Sequence, residues 1–367
     1  MVSRKHAAVA ALTAVALTAP AIALADNAVA AKRKGYYAKK VLSTKYAGPL
    51  QFAVGQHVYV ADSFASTLTK LGSSKVLATG GNPKTGGDVA GVGVNSAAGE
   101  VGYTWSGGAH KQTKFALLRN GKLVYTVNLA AQEGKTNPDK VLHYGVDKPS
   151  TCVKNALTKA HIPVSYTGEL DSHPYSTTYL GSGQWAVADA GANAIFKVDT
   201  VKRLVSTLAV LPRQPLVISK AFAQASKLPP CVVGVTYNFE SVPTDVETGP
   251  GGLLYASTLP GGPEGAPGIP PRGKIYTISA TGAIKLVGKG FDNLTNIAVR
   301  PNGTVYAAEL GAGRVTQLVN GRPGPALYSH AGLVGVEWAN GHLYVSNVPN
   351  LIGVNSHSSI VQLGYAG

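Results

Sequence analysis

Val58-Tyr-Val-Ala-Asp62 is a five-residue strand signature that the chain repeats. It returns as Val101-Gly-Tyr-Thr-Trp105, Trp185-Ala-Val-Ala-Asp189, Leu254-Tyr-Ala-Ser-Thr258, Val305-Tyr-Ala-Ala-Glu309 and Leu343-Tyr-Val-Ser-Asn347. Gly99, Gly183, Gly252, Gly303 and Gly341 each stand two residues before a copy, where a hairpin turn entering a strand needs a positive φ, and Gly55 stands one place earlier still before the first copy. After most copies comes a second pattern with apolar ends: Leu68 to Leu71, Ile195 to Val198, Ile275 to Ile278, Val315 to Leu318 and Ile360 to Leu363. Several short strands recurring at roughly 40 residues predict an all-β chain of propeller architecture. The repeat itself carries architecture and little chemistry.

Two intervals between signatures are longer than one period. The excess falls at about 128–172 and 213–239, neither of which holds a signature, so both are expected to be insertions, the first with a helix near Thr151 to Ala160. Cys152 lies in one and Cys231 in the other, which predicts a disulfide stapling two excursions that lack a core of their own. Outer strands are expected at Val76 to Thr79, Leu123 to Val127, Leu204 to Leu208, Ile284 to Val287 and Ala326 to Tyr328. The last repeat has none, and the chain stops shortly after Leu363. Lys40-Val-Leu-Ser-Thr44 nearly copies the outer strand Lys75-Val-Leu-Ala-Thr79, so the N-terminal segment is expected to complete the last blade and close a ring of six.

Arg4, Lys5 and His6 precede an Ala-rich apolar run ending at Ala23-Leu-Ala25, the pattern of a signal peptide over residues 1–25. Residues 26–35 then read as a basic, flexible N-terminus, and the propeller as 36–367. No later stretch reaches membrane-spanning length, so an exported protein with no membrane span after cleavage is expected. The 44 glycines and 22 prolines, with only 14% charged residues, favour many short strands and tight turns. A net charge of +15 suits anionic cell-envelope polymers as partners, alongside a small molecule or protein. The dense basic runs, Lys32 to Lys34 and Lys39-Lys40, lack interleaved aromatics, which argues against nucleic acid.

Candidate chemistry lies where the inner strands begin. Counting about nine residues back from each signature gives a channel-mouth ring of Pro49, Gly91, Ser176, Asp245, Asn296 and Gly335. Asp245 and Asn296 are its adjacent pair of oxygen donors, the tentative metal ligands, and Ca²⁺ is the ion such donors would take. No cofactor is otherwise expected. His173, in Asp171-Ser-His-Pro174, reads either as a general base beside an Asp or as a turn residue before the proline. No nucleophile elbow, His-Glu-x-x-His or phosphate loop occurs. The acceptors closing the signatures, Asp62, Asp189, Glu309 and Asn347, read as caps of backbone N–H groups, and Tyr59, Tyr255, Tyr306 and Tyr344 as packing between blades.

Asp171-Ser-His-Pro-Tyr175, Val187-Ala-Asp-Ala-Gly191, Val242-Pro-Thr-Asp-Val246, Thr258-Leu-Pro-Gly-Gly-Pro263 and Arg300-Pro-Asn-Gly303 resemble the ScyD/ScyE family. These are exported bacterial propellers related to NHL repeats. The resemblance implies six blades and, since most members have no assigned activity, a binding or scaffold role more than an enzyme. The chain is also similar to the gluconolactonases, calcium lactonases on six-bladed propellers. Asp245 and Asn296 match two positions of their channel set, while Pro49 stands where a first-blade Glu is expected. A metal-dependent hydrolase is therefore the alternative.

Overall fold

The computed structural model describes residues 35–108 and 112–366. The expected signal peptide and almost all of the basic segment after it lie outside the described residues. Among the described residues the chain forms seven four-stranded antiparallel sheets. In chain order, the first runs Pro49–Val54, Val58–Asp62, Thr67–Lys70 and Val76–Thr79, and the second Asp88–Asn95, Glu100–Gly107, Gln112–Arg119 and Lys122–Asn128. Three more follow the same meander over Pro174–Val210, Pro243–Phe291 and Leu294–Ser329. Every signature is the second strand of its sheet, and every second pattern is the third. The five glycines before the signatures all have positive φ, from 63° at Gly99 to 85° at Gly303, as a tight hairpin entry requires.

The sheet of Leu333–Ala339, His342–Asn347 and Ser359–Ala366 takes its outer strand from Gly35–Ser43, which pairs antiparallel with Ser359–Ala366 from Gly35↔Ala366 to Ser43↔Ile360. The expected closure by the N-terminal segment is thus present. The first strands of these meanders touch in cyclic order, Pro49–Val54 against Asp88–Asn95 and so on round to Leu333–Ala339, which returns to Pro49–Val54. This is a β-propeller.

Packing between sheets explains the apolar and small residues of the signature. Trp185 is fully buried against Phe115 of the preceding sheet, with ring centroids 5.7 Å apart. Fully burying such a ring is worth about 3 kcal/mol. Gly102 makes the room, since a Cβ there would come within 2.7 Å of the Trp185 ring. Tyr344 packs with Phe52 and Val60 of the first sheet, so that tyrosine does serve the contact between blades. The signature-closing acceptors cap: Asp62 accepts from the Ala47, Gly48 and Ala65 N–H groups, and Asp189 from those of His173 and Ala192.

The seventh sheet is built by the insertions. Ser165–Thr167 and His143–Gly145 come from the first, Thr236–Phe239 and Gln214–Val217 from the second, and the two halves meet at Gly145↔Asn238. The sequence shows no signature here and so predicts insertions without naming these strands, which are three or four residues long and follow no repeat. A helix at Thr151–Lys159, capped by Ser150, buries Val153, Ala156 and Leu157 on one face. A second at Lys220–Ala225 is capped by Ser219. With Val146, Ile218, Val232 and Tyr237 they form a separate small core. Cys152 and Cys231 are disulfide-bonded across it, 79 residues apart in sequence. Buried Asn193, at the tip of the third meander, ties down the first insertion and the chain just after the second. Its Nδ2 donates to Asp139, and its Oδ1 accepts from the Val242 N–H.

No helix among the described residues is long and apolar enough to cross a membrane.

Candidate functional site

The cyclic contact of first strands brings Ser176, Asp245 and Asn296 together. Each pairs with the fourth residue of its signature, at Ser176↔Ala188, Asp245↔Ser257 and Asn296↔Ala308. Gly335 holds the same place opposite Ser346. In the first sheet that place belongs to Gln51, opposite Ala61, while Pro49 pairs with Asp62. The ring expected from sequence is therefore two residues out in that sheet, because its first hairpin is shorter than the others and a fixed offset overshoots.

Asp245 is fully buried and its carboxylate is saturated. Oδ1 accepts from Ser176 Oγ at 2.6 Å and the Val246 N–H at 2.9 Å. Oδ2 accepts from Asn296 Nδ2 and the Ile297 N–H, both at 2.9 Å. Asn296 also donates to Gln51 Oε1 at 3.1 Å and accepts from the Val336 N–H at 2.7 Å. A carboxylate has about four acceptor positions, and all four are spent, three on neighbouring strands and one on the adjacent Val246 N–H. Burial pushes the Asp245 carboxyl up to about 6 against these hydrogen bonds. The cluster is a staple across five first strands, those of Gln51, Ser176, Asp245, Asn296 and Val336. It leaves no oxygen of Asp245 to face a cation, and no group of three or more His, Cys, Asp or Glu among the described residues is arranged to hold a metal.

His173 is not part of this cluster. Its backbone N–H donates to Asp189 Oδ1 at 2.7 Å, and Nε2 lies 3.0 Å from Asp88 Oδ2. Burial disfavours the imidazolium, but the Asp88 carboxylate outweighs it and the pKa is raised. Buried at 3% exposure, the ring bridges two sheets and does not open to a channel.

Two carboxyls escaped the sequence reading. Glu247 and Glu337 stand two residues beyond Asp245 and Gly335 on their strands, hence on the same face. Burial raises both pKa values well above the ordinary range; Glu337 and then Asp245 raise Glu247 further, and Asp245 raises Glu337. The strand period, applied one step past the ring, would have found them.

A different kind of site lies under the seventh sheet. An open cavity of about 720 Å³ lies between the insertions and the loop between Thr258 and Gly273. Leu157, Ile162, Leu216, Ile218, Phe222 and Leu228 make its apolar walls, with Tyr166, Tyr237 and Phe239. Glu240 is buried in the lining, while Glu169 and His161 stand exposed. Tyr237 and Phe239 meet at a 40° tilt with centroids 4.5 Å apart, and Tyr166 lies 5.3 Å from Tyr144. Burial, then the Glu240 carboxylate, push the Tyr237 hydroxyl up to about 12. Arg272 closes the loop side, donating to the Pro260 and Gly261 carbonyls and pairing with Glu264. Leu259 to Pro263, singled out in the sequence, is therefore a wall of this cavity. The polar rest was invisible beforehand, since it depends on how two insertions meet.

No protein-family model matches the sequence, and no curated protein sequence matches it. Among solved structures the chain is similar to a streptogramin B lyase (15% identity, 90% of this chain and 98% of that one, TM-score 0.48). It is similar to virginiamycin B lyase from Staphylococcus aureus (16%, 89% and 99%, TM-score 0.46). A third is the PQQ-bound aldose sugar dehydrogenase of Streptomyces coelicolor (12%, 90% and 98%, TM-score 0.48). At these identities and scores the likenesses carry no argument about chemistry.

Proposed function

We propose that the chain is an exported, six-bladed propeller of ScyD/ScyE type that binds a ligand and catalyses nothing, the ligand entering the cavity beneath the insertion sheet. The cyclic contact of first strands supports six blades, with the seventh sheet as an appendage. One observation carries the rest: the axial carboxylate that a lactonase would need is spent on four internal hydrogen bonds, while a partly open, mostly apolar cavity of ligand size lies elsewhere. A disulfide holds that cavity's walls, which fits an oxidising compartment. The charge of +15 supports retention on anionic envelope polymers, reversed by salt.

The neutral fluorophore N-phenyl-1-naphthylamine tests the reading. It should bind one per chain and be excluded by Ala266→Trp, which fills the cavity from its surface loop. Ca²⁺ should leave the melting temperature unchanged. Ca²⁺-dependent hydrolysis of sugar lactones that disappears in Asp245→Ala and Asn296→Ala, with the fold intact, would replace this reading with the hydrolase.

A further inference from the structure

We infer that the Cys152–Cys231 bond is a latch open to thiol–disulfide exchange: a dithiol reduces it in the folded protein, and the ligand cavity loosens when it does. The inference rests on the binding reading above and adds how the ligand is let go. The helix Thr151–Lys159 turns Val153, Ala156 and Leu157 inward, so Cys152 stands off that face and is exposed. In the other insertion the short turn Pro230–Val232 buries Val232 and leaves Cys231 half-buried beside the small core. A disulfide inside a core has no path for an attacking sulfur. This one has a path.

A second cavity supplies it. An open pocket of about 780 Å³ has Cys231 in its wall, with Val146, Val153 and Val235 on its apolar side and Lys148 and Arg213 on its polar side. Arg213 is paired with Asp147 at 2.9 Å, whereas exposed Lys148 has no carboxylate partner among the described residues. A thiolate entering the pocket therefore meets an unpaired cation.

The helix favours Cys152 as the sulfur that leaves. Ser150 is the N-cap and accepts from the Val153 N–H, which puts Cys152 second in the first turn, where N–H groups without helical partners and the helix dipole stabilise a thiolate. The more stable thiolate departs faster. The incoming thiolate thus bonds to Cys231 Sγ, the bond between Cys231 and Cys152 breaks, and Cys152 takes the electron pair. The dithiol's second thiol, its proton passed to water, then bonds to the first and releases Cys231 as a thiolate. The dithiol is oxidised to a disulfide by two electrons, and the cysteine pair is reduced by the same two.

The two cysteines belong to opposite walls of the ligand cavity. Leu157 and Ile162 come from the first insertion, and Ile218, Phe222 and Leu228 from the second. These halves meet in the sheet at Gly145↔Asn238, and the disulfide is their one covalent cross-link. Once it is cut the walls can part. By linkage, a ligand that holds them together favours the oxidised form.

Dithiothreitol without denaturant tests the exchange, with thiols counted by alkylation and intact mass. The rate should rise in proportion to dithiothreitol without levelling off, and Lys148→Gln should slow it at low salt more than at high salt. A monothiol, 2-mercaptoethanesulfonate, should be trapped mainly on Cys231. N-phenyl-1-naphthylamine should bind the reduced protein at least about tenfold more weakly than the oxidised one, and reoxidation should restore its affinity. If the reduced chain is too unstable to titrate, its equilibrium with a mixture of reduced and oxidised dithiothreitol decides. Saturating probe should shift that equilibrium toward the disulfide in the wild type and leave it unchanged in Ala266→Trp, which excludes the probe. A rate that levels off means that the bond is reached only through unfolding, and it overturns the inference. Equal probe affinity of the two forms removes the latch alone; a probe that binds neither form removes the binding reading and the latch with it.

Discussion

The Arg272 guanidinium lies over the Phe239 ring, 4.9 Å from its centroid, and so joins a propeller loop to the sheet made by the insertions. Phe239 ends the strand Thr236–Phe239, and Arg272 directly precedes the propeller strand Gly273–Ile278. Each side of the stack is fixed by other means. The ring sits against Tyr237, and the guanidinium against the Pro260 and Gly261 carbonyls and the Glu264 carboxylate. Since Arg272 is 8% exposed, the arrangement is a buried one whose members depend on each other.

Removing the arginine should therefore loosen the cavity more than the propeller. Breaking a buried pair by deleting one partner costs up to about 3–5 kcal/mol while the other charge stays uncompensated, and less where that group takes up a proton. Burial already raises the Glu264 carboxyl to about 7 with Arg272 in place, so in Arg272→Ala it should be neutral near pH 7. Hydrogen exchange should quicken across 259–271 and 236–239 while the first strands keep their protection. Arg272→Lys should recover less than half of the loss, lacking the planar fork that spans carbonyls and carboxylate. Uniform loss of protection throughout the chain would count against this coupling.

The Cys152–Cys231 bond should behave in the same local way. For a separation of 79 residues the chain-entropy model gives about 4.5 kcal/mol. That stabilisation belongs to the insertions, whose small core is separate from those of the propeller. Cys152→Ser with Cys231→Ser should lower the first step of thermal unfolding and release 140–168 and 214–239 to exchange. A single cooperative transition shifted as a whole would show that insertions and propeller unfold together.

How far the sequence could be read follows from what each feature depends on. Trp185-Ala-Val-Ala-Asp189 shows itself because its inward residues, its turn glycine and its capping Asp all lie within one strand and hairpin. The pairing of Gly35–Ser43 with the last sheet was readable at long range because one outer strand nearly copies another. Gln51 was missed since counting assumes equal hairpins, and the first is short. The insertion sheet was missed since its strands are shorter than the window in which alternation can be seen. Asp245 was visible as a residue but not as a saturated one: its donors come from 176, 296 and 297, brought in by other strands.

That saturation makes Asp245→Asn informative. The substitution removes a buried charge, yet it replaces one acceptor oxygen with a donor amide facing N–H or O–H groups. Two donors left without acceptors should cost about 2–4 kcal/mol, so the variant should melt below the wild type at pH 7. Asp245→Asn melting above it would mean that desolvation of the carboxylate, not its hydrogen bonding, dominates the axis.

The Glu247 and Glu337 carboxyls should make the protein less stable as pH rises. Both have folded pKa values raised above the ordinary 4.5, so folding takes up protons. Their contribution is fully present below pH 4.5 and is lost as pH climbs through the raised values. His173, also raised, adds a loss in the same direction above pH 6.5. Glu337→Gln removes one channel carboxyl and relieves Glu247 of its neighbour. It should raise the melting temperature at pH 8 and leave it unchanged at pH 4. A gain that is the same at both pH values would point to packing, not charge.

Ring closure by Gly35–Ser43 can be tested by where the chain is made to start. The strand pairs along its length with Ser359–Ala366, and in doing so covers the edge that the last meander would otherwise expose. Its side chains contribute little by burial: Tyr37 and Val41 are about half exposed, and Tyr36 reaches inward to within 3.4 Å of the Tyr306 hydroxyl. What the strand supplies is mainly backbone pairing and edge protection, and an unpaired edge of eight residues is a template for another chain. A protein beginning at residue 34 should therefore melt like the longer chain. One beginning at residue 46 should melt about 1–3 °C lower, the shift expected from one or two kcal/mol in a chain of this size, and should associate as its concentration rises. A synthetic peptide of residues 34–45 added in trans should restore both the melting temperature and the monomer. If the shorter protein melts with the longer one and stays monomeric, the closing strand is an ornament on a ring held by its first strands alone.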